Sequence, residues 1–147
     1  RTAGIILAAQ KNPPCLQIDD RIQEMSLGDW EGLSLEEAAA ADPGNLDAFL
    51  HAPDRFRPVG AGEYFQQVSD RMQAFLLEMT RLARQLEQEG PDRRGLVVTH
   101  NITLKALFAL MENRPLGMLR DGPPIRQAAV YRATLADRWL IAPPGIH

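Results

Sequence analysis

The clearest pattern of apolar and polar positions lies in the middle of the chain, between residues 63 and 89. Apolar residues recur there at helical spacing, while arginine and glutamate occupy the opposite side. The pair Gly90-Pro91 follows at once, and such a pair ends helices. The pattern predicts one long amphipathic helix whose apolar stripe belongs to the core: Phe65, Val68, Met72, Phe75, Leu76, Met79, Leu82, Ala83 and Leu86.

Shorter segments also favour helices. Residues 1–11 form a short helical piece, and residues 102–111 place their large apolar side chains on one face. Ser34–Glu37 has the sequence of a capping box, which predicts a helix that starts there. Residues 42–44, Asp-Pro-Gly, predict its end. Residues 46–50 then suggest one or two further turns.

Other segments have the composition of strands. Apolar and polar residues alternate over residues 16–18, which predicts a short strand. Residues 95–100 form an apolar, β-branched run that predicts a buried strand. Residues 128–135 and 138–141 predict the two strands of a hairpin. We therefore predict an α/β fold with helices packed on the faces of a sheet, in a single domain spanning residues 1–147.

Composition narrows the class of protein. The 147 residues carry a formal net charge of -3, with lysine and arginine scattered along the chain. A nucleic-acid or membrane-surface protein would normally show a basic stripe, so we expect neither partner. The single cysteine, Cys15, excludes an internal disulfide and suits a reducing compartment. Because it follows two prolines in a predicted loop, we expect Cys15 to be packed and inert rather than nucleophilic.

His100 is the first candidate for chemistry. It stands at the carboxyl end of a predicted strand and just before a helix, where ligands of open α/β sheets bind. The free N–H groups at the start of that helix favour an anion, most often phosphate. A histidine there could hold a negative charge or move a proton, or it could simply be a satisfied strand-end residue. His51 and His147 are expected to be solvent-exposed, and the spacing of the three histidines predicts no metal site.

Glu24 is the second candidate. It precedes an irregular stretch in which Gly28 and Gly32 bracket Trp30. Loops with apolar anchors often form the wall of a site, and an acid in such a wall can serve as a proton donor. The alternative, which these residues by themselves favour, is a solvated loop glutamate.

Several segments, in order along the chain, resemble motifs of the phosphoglycerate-mutase-like histidine phosphatases. Ile22-x-Glu24 followed by Leu27–Gly32 resembles the "L-x-E-x-x-x-G-x-W-E-G" segment of that family. The remaining matches are the Thr2-Ala3 pair with Ile5 and Ile6, the turn Val59–Glu63 with Arg71, the segment Val97–Asn101 with Lys105 and Leu107, and Gln127–Ala129. Together they extend from residue 2 to about residue 142.

The resemblance implies a three-layer α/β/α fold with a mostly parallel central sheet. It implies a cytoplasmic phosphomonoester hydrolase that needs no metal or other cofactor, acts on a small phosphorylated metabolite and proceeds through phosphohistidine. By position, His100 matches the second histidine of the family's site and Glu24 matches the acid that protonates the leaving oxygen. Asn101 matches a residue whose backbone N–H reaches the phosphate, and Glu63 matches a glutamate that orders its loop. A homodimer is left open.

The sequence also departs from the family. No Arg-His-Gly triplet, the motif that carries the nucleophilic histidine, occurs in the 147 residues, Tyr64 replaces a serine and Asn101 replaces a glycine. The helical pattern begins at Arg1, and no N-cap residue precedes it. We therefore expect upstream residues that supply a strand, a helix and the nucleophile. Without them, a raw sheet edge and apolar surface should be exposed.

Three hypotheses follow from the resemblance and these departures. The first is the phosphatase, favoured over a mutase by the short stretch between Glu24 and Gly62. The second is a non-catalytic relative that binds a phosphorylated ligand or a protein. The third is a phosphoryl-transferring mutase.

Overall fold

The computed structural model of the chain describes residues 2–90, 94–142 and 144. It is rich in helix and contains a small sheet. The helices are α1 (Thr2–Ala8), α2 (Leu35–Ala41), α3 (Pro43–His51), α4 (Phe65–Glu89) and α5 (Asn101–Met111), with short 3₁₀ turns at Asp20–Ile22 and Leu116–Met118. The hairpin strands are β1 (Arg132–Leu135) and β2 (Trp139–Ala142). His147 lies outside the described residues.

The predicted helix boundaries around residue 34 are confirmed. Ser34 caps α2, because its Oγ accepts from the N–H of Glu37 at 3.2 Å and its own N–H donates to the Glu37 carboxylate at 2.8 Å. Asp42 ends α2 and at the same time caps α3, accepting from the N–H of Asn45 at 2.9 Å. The chain therefore turns sharply between two helices at a single aspartate.

The core lies between α4, α5 and an aromatic cluster. That cluster comprises Trp30, Phe49, Phe56 and Phe65, which are all buried, with neighbouring ring centroids 5.2 to 6.0 Å apart. The first half of the predicted α4 stripe is buried against it. Leu82, in the second half, is 40% exposed, so the predicted core position is wrong there because α4 extends beyond the elements that could cover it.

The hairpin is confirmed, although its first strand begins at Arg132 rather than at residue 128. β1 and β2 are antiparallel, with Arg132 opposite Ala142. The mostly parallel central sheet is not found among the described residues, where the two-stranded hairpin is accompanied by a single isolated parallel bridge between Gly28 and Val59.

The buried strand predicted for residues 95–100 is wrong for this structure. The segment has no strand pairing, and Leu96 is 62% exposed. Residues 16–18 are likewise unpaired, with Ile18 at 83% exposure. A strand exists only where a neighbour accepts and donates its backbone hydrogen bonds, and neither segment pairs with another among the described residues. The apolar exposure expected from the sequence is thus present.

Two glycine-containing turns touch beside the aromatic cluster. The N–H of Asp29 donates to the carbonyl of Val59 at 3.1 Å, and Gly28 has a left-handed φ of 59°. A Cβ at Gly28 would lie 2.1 Å from the Val59 oxygen and 2.5 Å from the nitrogen of Gly62. Only glycine allows the two turns to approach so closely.

We expect Gly28→Ala to lower the free energy of unfolding by about 3 kcal/mol, since it combines a left-handed backbone with a backbone clash. Urea unfolding measures the loss. The control is Gly32→Ala, where φ is 82° but no atom lies within 4 Å of the added Cβ, so it should cost only about 1–2 kcal/mol. Equal losses in the two variants would contradict the close contact.

Candidate active site

His100 and Asn101 stand at the junction between the exposed segment and α5. His100 is the N-cap residue of α5, with an extended backbone, φ −118° and ψ 175°, and its side chain makes no capping hydrogen bond. Asn101 is the first residue of the helix, and both residues are exposed. The His100 ring therefore makes no capping hydrogen bond that would support the alternative of a satisfied histidine at a strand end.

The carboxylate of Glu24 lies against the first turn of α5. Its Oε2 accepts from the N–H of Ile102 at 3.2 Å, and its Oε1 accepts from the N–H of Thr103 at 3.2 Å and from the N–H of Met25 at 3.1 Å. These contacts contradict the solvated-loop alternative. The N–H groups at the start of α5, where the sequence predicts a site for an anion, are thus partly occupied by the protein's own carboxylate.

One donor of this helix end remains available. Among the described residues, the Asn101 N–H makes no hydrogen bond. A backbone N–H at a helix start is a natural donor to an anionic oxygen. The structure therefore brings His100, Asn101 and the Glu24 carboxylate to one end of α5.

Two threonines, which the sequence did not single out, fix the loop that carries Glu24. The hydroxyl of Thr99 donates to the carbonyl of Ile22 at 2.7 Å. Fully buried Thr103 has its hydroxyl 2.7 Å from the carbonyl of Gln23 and 3.1 Å from Oε1 of Glu24. A polar residue on the apolar face of α5 was the one available hint, because a buried hydroxyl needs a partner.

Glu63 and Arg71 hold the same loop from the other side. The guanidinium of Arg71 donates to both Glu63 oxygens, at 3.0 and 3.1 Å, and to the carbonyls of Arg21 and Gln23. Glu63 also accepts from the N–H of Ser26 at 2.9 Å. This bidentate pair fixes the backbone on both sides of Glu24, as expected of a glutamate that orders its loop.

Charged neighbours extend this network on the surface. Arg21 donates to Asp19 and to Glu78, and these hydrogen bonds raise the pKa of its guanidinium. In turn the hydrogen bond from Arg21 holds the pKa of Asp19 below its usual value. These groups are structural, since they anchor the 3₁₀ turn before Glu24 to α4.

The other sequence candidates lie apart from this site. His51 is exposed at the end of α3, as predicted, and its Nδ1 lies 3.0 Å from Asp47. Cys15 is exposed, so the prediction that it is packed is wrong. In the part of the chain that the structure describes, no group of three or more histidine, cysteine or acidic side chains is arranged to hold a metal ion. No helix among these residues is both long and apolar enough to cross a membrane.

Two curated proteins resemble the chain in sequence. A glucosyl-3-phosphoglycerate phosphatase from Mycolicibacterium vanbaalenii is 33% identical over 110 residues, which cover 75% of this chain and 46% of that protein. A metal-independent phosphoserine phosphatase from Arabidopsis thaliana is 28% identical over 96 residues, 65% of this chain and 37% of that protein. The matched segments thus cover less than half the length of these relatives.

Two solved structures share its fold. YhfR from Bacillus stearothermophilus superposes with a TM-score of 0.75 at 28% identity, covering 97% of this chain and 66% of that one. A mycobacterial glucosyl-3-phosphoglycerate phosphatase in complex with inorganic phosphate gives 0.71 at 26% identity, covering 86% and 62%. The family profile of the histidine phosphatase superfamily, branch 1, matches residues 1–139. The resemblance inferred from the motifs is confirmed, and the chain belongs to the histidine phosphatase superfamily.

Proposed function

We propose that the protein hydrolyses phosphomonoesters of small metabolites through a phosphohistidine intermediate. The observation that carries the proposal is the Glu24 carboxylate, held at the start of α5 beside His100 and Asn101. An acid, a histidine and an unpaired helix N–H at one place suit the transfer of a phosphoryl group. The phosphatase names of two relatives support the same reaction class.

Each residue has a distinct part in this proposal. A nucleophilic histidine, supplied by a segment outside these 147 residues, attacks phosphorus and forms the N–P bond while the P–O bond of the ester breaks. Glu24 gives a proton to the departing oxygen. His100 and the Asn101 N–H stabilise the charge on the phosphoryl oxygens. Water then attacks the phosphorus of phosphohistidine and gives a proton to the Glu24 carboxylate, the N–P bond breaks, and inorganic phosphate leaves with the histidine and the acid both restored.

The proposal also includes the arrangement of the central sheet and the cellular compartment of the protein. We propose that residues 95–99 form a strand of a mostly parallel central sheet in a three-layer α/β/α arrangement once a neighbouring strand is present. The exposed apolar side chains of Leu96 and Val97 support this, since such a strand would bury them. A cytoplasmic location is proposed because a lone cysteine suits a reducing compartment.

A second function, binding of a phosphorylated ligand without turnover, is favoured by one observation. The 147 residues contain no Arg-His-Gly triplet, so the chain itself carries no nucleophile of that type.

One labelling experiment separates the two functions. The full-length protein is mixed with a ³²P-labelled phosphomonoester in the presence of a chelator and quenched within milliseconds. The hydrolase should show protein-bound label that is stable to alkali and lost in acid, together with multiple turnovers of released phosphate. Label-free protein that binds the ester and releases no phosphate would establish the binding function instead.

A further inference from the structure

The two oxygens of the Glu24 carboxylate have unequal surroundings. Oε1 accepts from the N–H groups of Met25 and Thr103, at 3.1 and 3.2 Å, and also lies 3.1 Å from the hydroxyl oxygen of Thr103. Among the described residues, Oε2 accepts from the N–H of Ile102 alone, at 3.2 Å. Each carboxylate oxygen has two lone pairs, so those of Oε1 are filled while Oε2 keeps one free.

The hydroxyl of Thr103 has no access to solvent and must bond within the protein. Thr103 is fully buried, and its single hydroxyl proton faces two acceptors, the Gln23 carbonyl at 2.7 Å and Oε1 of Glu24 at 3.1 Å. The Gln23 carbonyl also accepts from Nη1 of Arg71, at 2.9 Å. Because that carbonyl has a second donor and an ionised carboxylate is the stronger acceptor, the hydroxyl proton is available to Oε1.

The free lone pair of Oε2 is where Glu24 can carry a proton without breaking a contact. A proton on Oε2 leaves every hydrogen bond to Oε1 in place. A proton on Oε1 would displace one of its donors, and a buried donor without a partner costs free energy. Oε2 is bound by the N–H of Ile102, which directly follows Asn101 in α5. The proton therefore belongs on the oxygen that is bound at the Asn101 end of the helix.

We propose that Thr103 is a positioning residue, which holds Oε1 of Glu24 so that Oε2 alone carries the proton given to the leaving oxygen. The inference rests on the proposed function, in which Glu24 is the acid. As the P–O bond of the ester breaks, the leaving oxygen takes the proton of Oε2, and the electron pair of that O–H bond stays on the carboxylate. The attacking water later returns a proton to Oε2.

Variants of Thr103 in the full-length protein test its role. Thr103→Val removes the hydroxyl, so kcat for ethyl phosphate should fall about 10- to 100-fold, the range of a hydrogen bond to a charged group, while KM stays within about threefold. On p-nitrophenyl phosphate, whose leaving group needs no proton, kcat should fall less than about threefold. Thr103→Ser restores the hydroxyl and should recover the rate on ethyl phosphate to within about threefold of wild type. If the valine variant does not fold, Thr103→Ala replaces it.

Thr99 supplies the matched control. Its hydroxyl donates to the carbonyl of Ile22 at 2.7 Å, so it holds the same loop through the backbone and not through the Glu24 carboxylate. Thr99→Val should therefore lower kcat by the same factor on the two esters. A uniform loss in Thr103→Val, a selective loss in Thr99→Val, or no recovery in Thr103→Ser would overturn the assignment, because the effect would then come from the loop rather than from the hydroxyl on Oε1.

A nuclear magnetic resonance titration tests the same assignment without turnover and so separates it from the proposed function. As the pH falls, Glu24 takes up a proton and Oε2 becomes a hydroxyl oxygen, a poorer acceptor. The amide proton of Ile102, which donates to Oε2, should then shift more than those of Met25 and Thr103. Shifts that remain in Glu24→Gln come from His100 and other groups and are subtracted.

The titration has distinct outcomes for the two proposals. In Thr103→Val the shift of the Ile102 amide should no longer exceed the other two. Equal shifts in wild type, or a pattern unchanged in the valine variant, would refute the role of Thr103. The expected pattern in a protein that hydrolyses no ester would support the assignment of the two oxygens and refute the proposed function alone.

Discussion

His100→Ala is expected to lower kcat/KM for p-nitrophenyl phosphate by about 10²- to 10³-fold in the full-length protein, the usual effect of removing one group that stabilises transition-state charge. The ring makes no capping hydrogen bond and the residue is exposed. Its removal should therefore change the free energy of unfolding by less than about 0.5 kcal/mol. A large catalytic loss without a stability loss is the signature of a residue that contacts the substrate.

The matched control for His100 is His51→Ala. His51 is also exposed and lies at the end of α3, with Asp47 as its neighbour, so its removal should leave catalysis unchanged. Steady-state kinetics and urea unfolding on the same preparations give both quantities. If His100→Ala kept activity within about threefold of wild type, His100 would not belong to the phosphate site.

The sequence predicted elements whose cause is local, including the β1–β2 hairpin, and failed where a strand needs a neighbour that is distant in sequence. The capping box at Ser34 and the amphipathic start of α4 depend on residues within a few positions of each other, and both are present. The strand predicted at residues 95–100 depends on a neighbour that the pattern cannot supply, and the described residues leave it unpaired. A hydrophobic run indicates which side chains are stabilised by burial, and the neighbouring segment determines whether they are buried.

The site shows the same division. His100 could be chosen because it lies between an apolar run and a helix start. Glu24 could be named as a candidate acid in a loop, but its placement against Ile102 and Thr103 joins residues far apart in sequence, and only the family resemblance assigned Glu24 and His100 to one site.

Glu24→Gln should separate the proton donor from the structural acceptor. Glutamine can still accept through one oxygen, but its amide nitrogen would face one of the N–H donors of α5, so we expect a stability loss of about 1–2 kcal/mol. It cannot protonate a leaving oxygen. For an alkyl phosphate, whose alkoxide leaves poorly, kcat/KM should fall about 10²- to 10⁴-fold, the range of general acid catalysis.

The leaving group provides the decisive comparison for Glu24. p-Nitrophenolate departs without a proton, so kcat/KM of Glu24→Gln on p-nitrophenyl phosphate should fall less than about tenfold. Glu36→Gln, an exposed position on α2, serves as the control and should leave both rates unchanged. A loss of the same size on both esters would mean that Glu24 acts only by shaping the start of α5. A loss that grows with the basicity of the leaving oxygen identifies it as the acid, because only proton donation depends on that basicity.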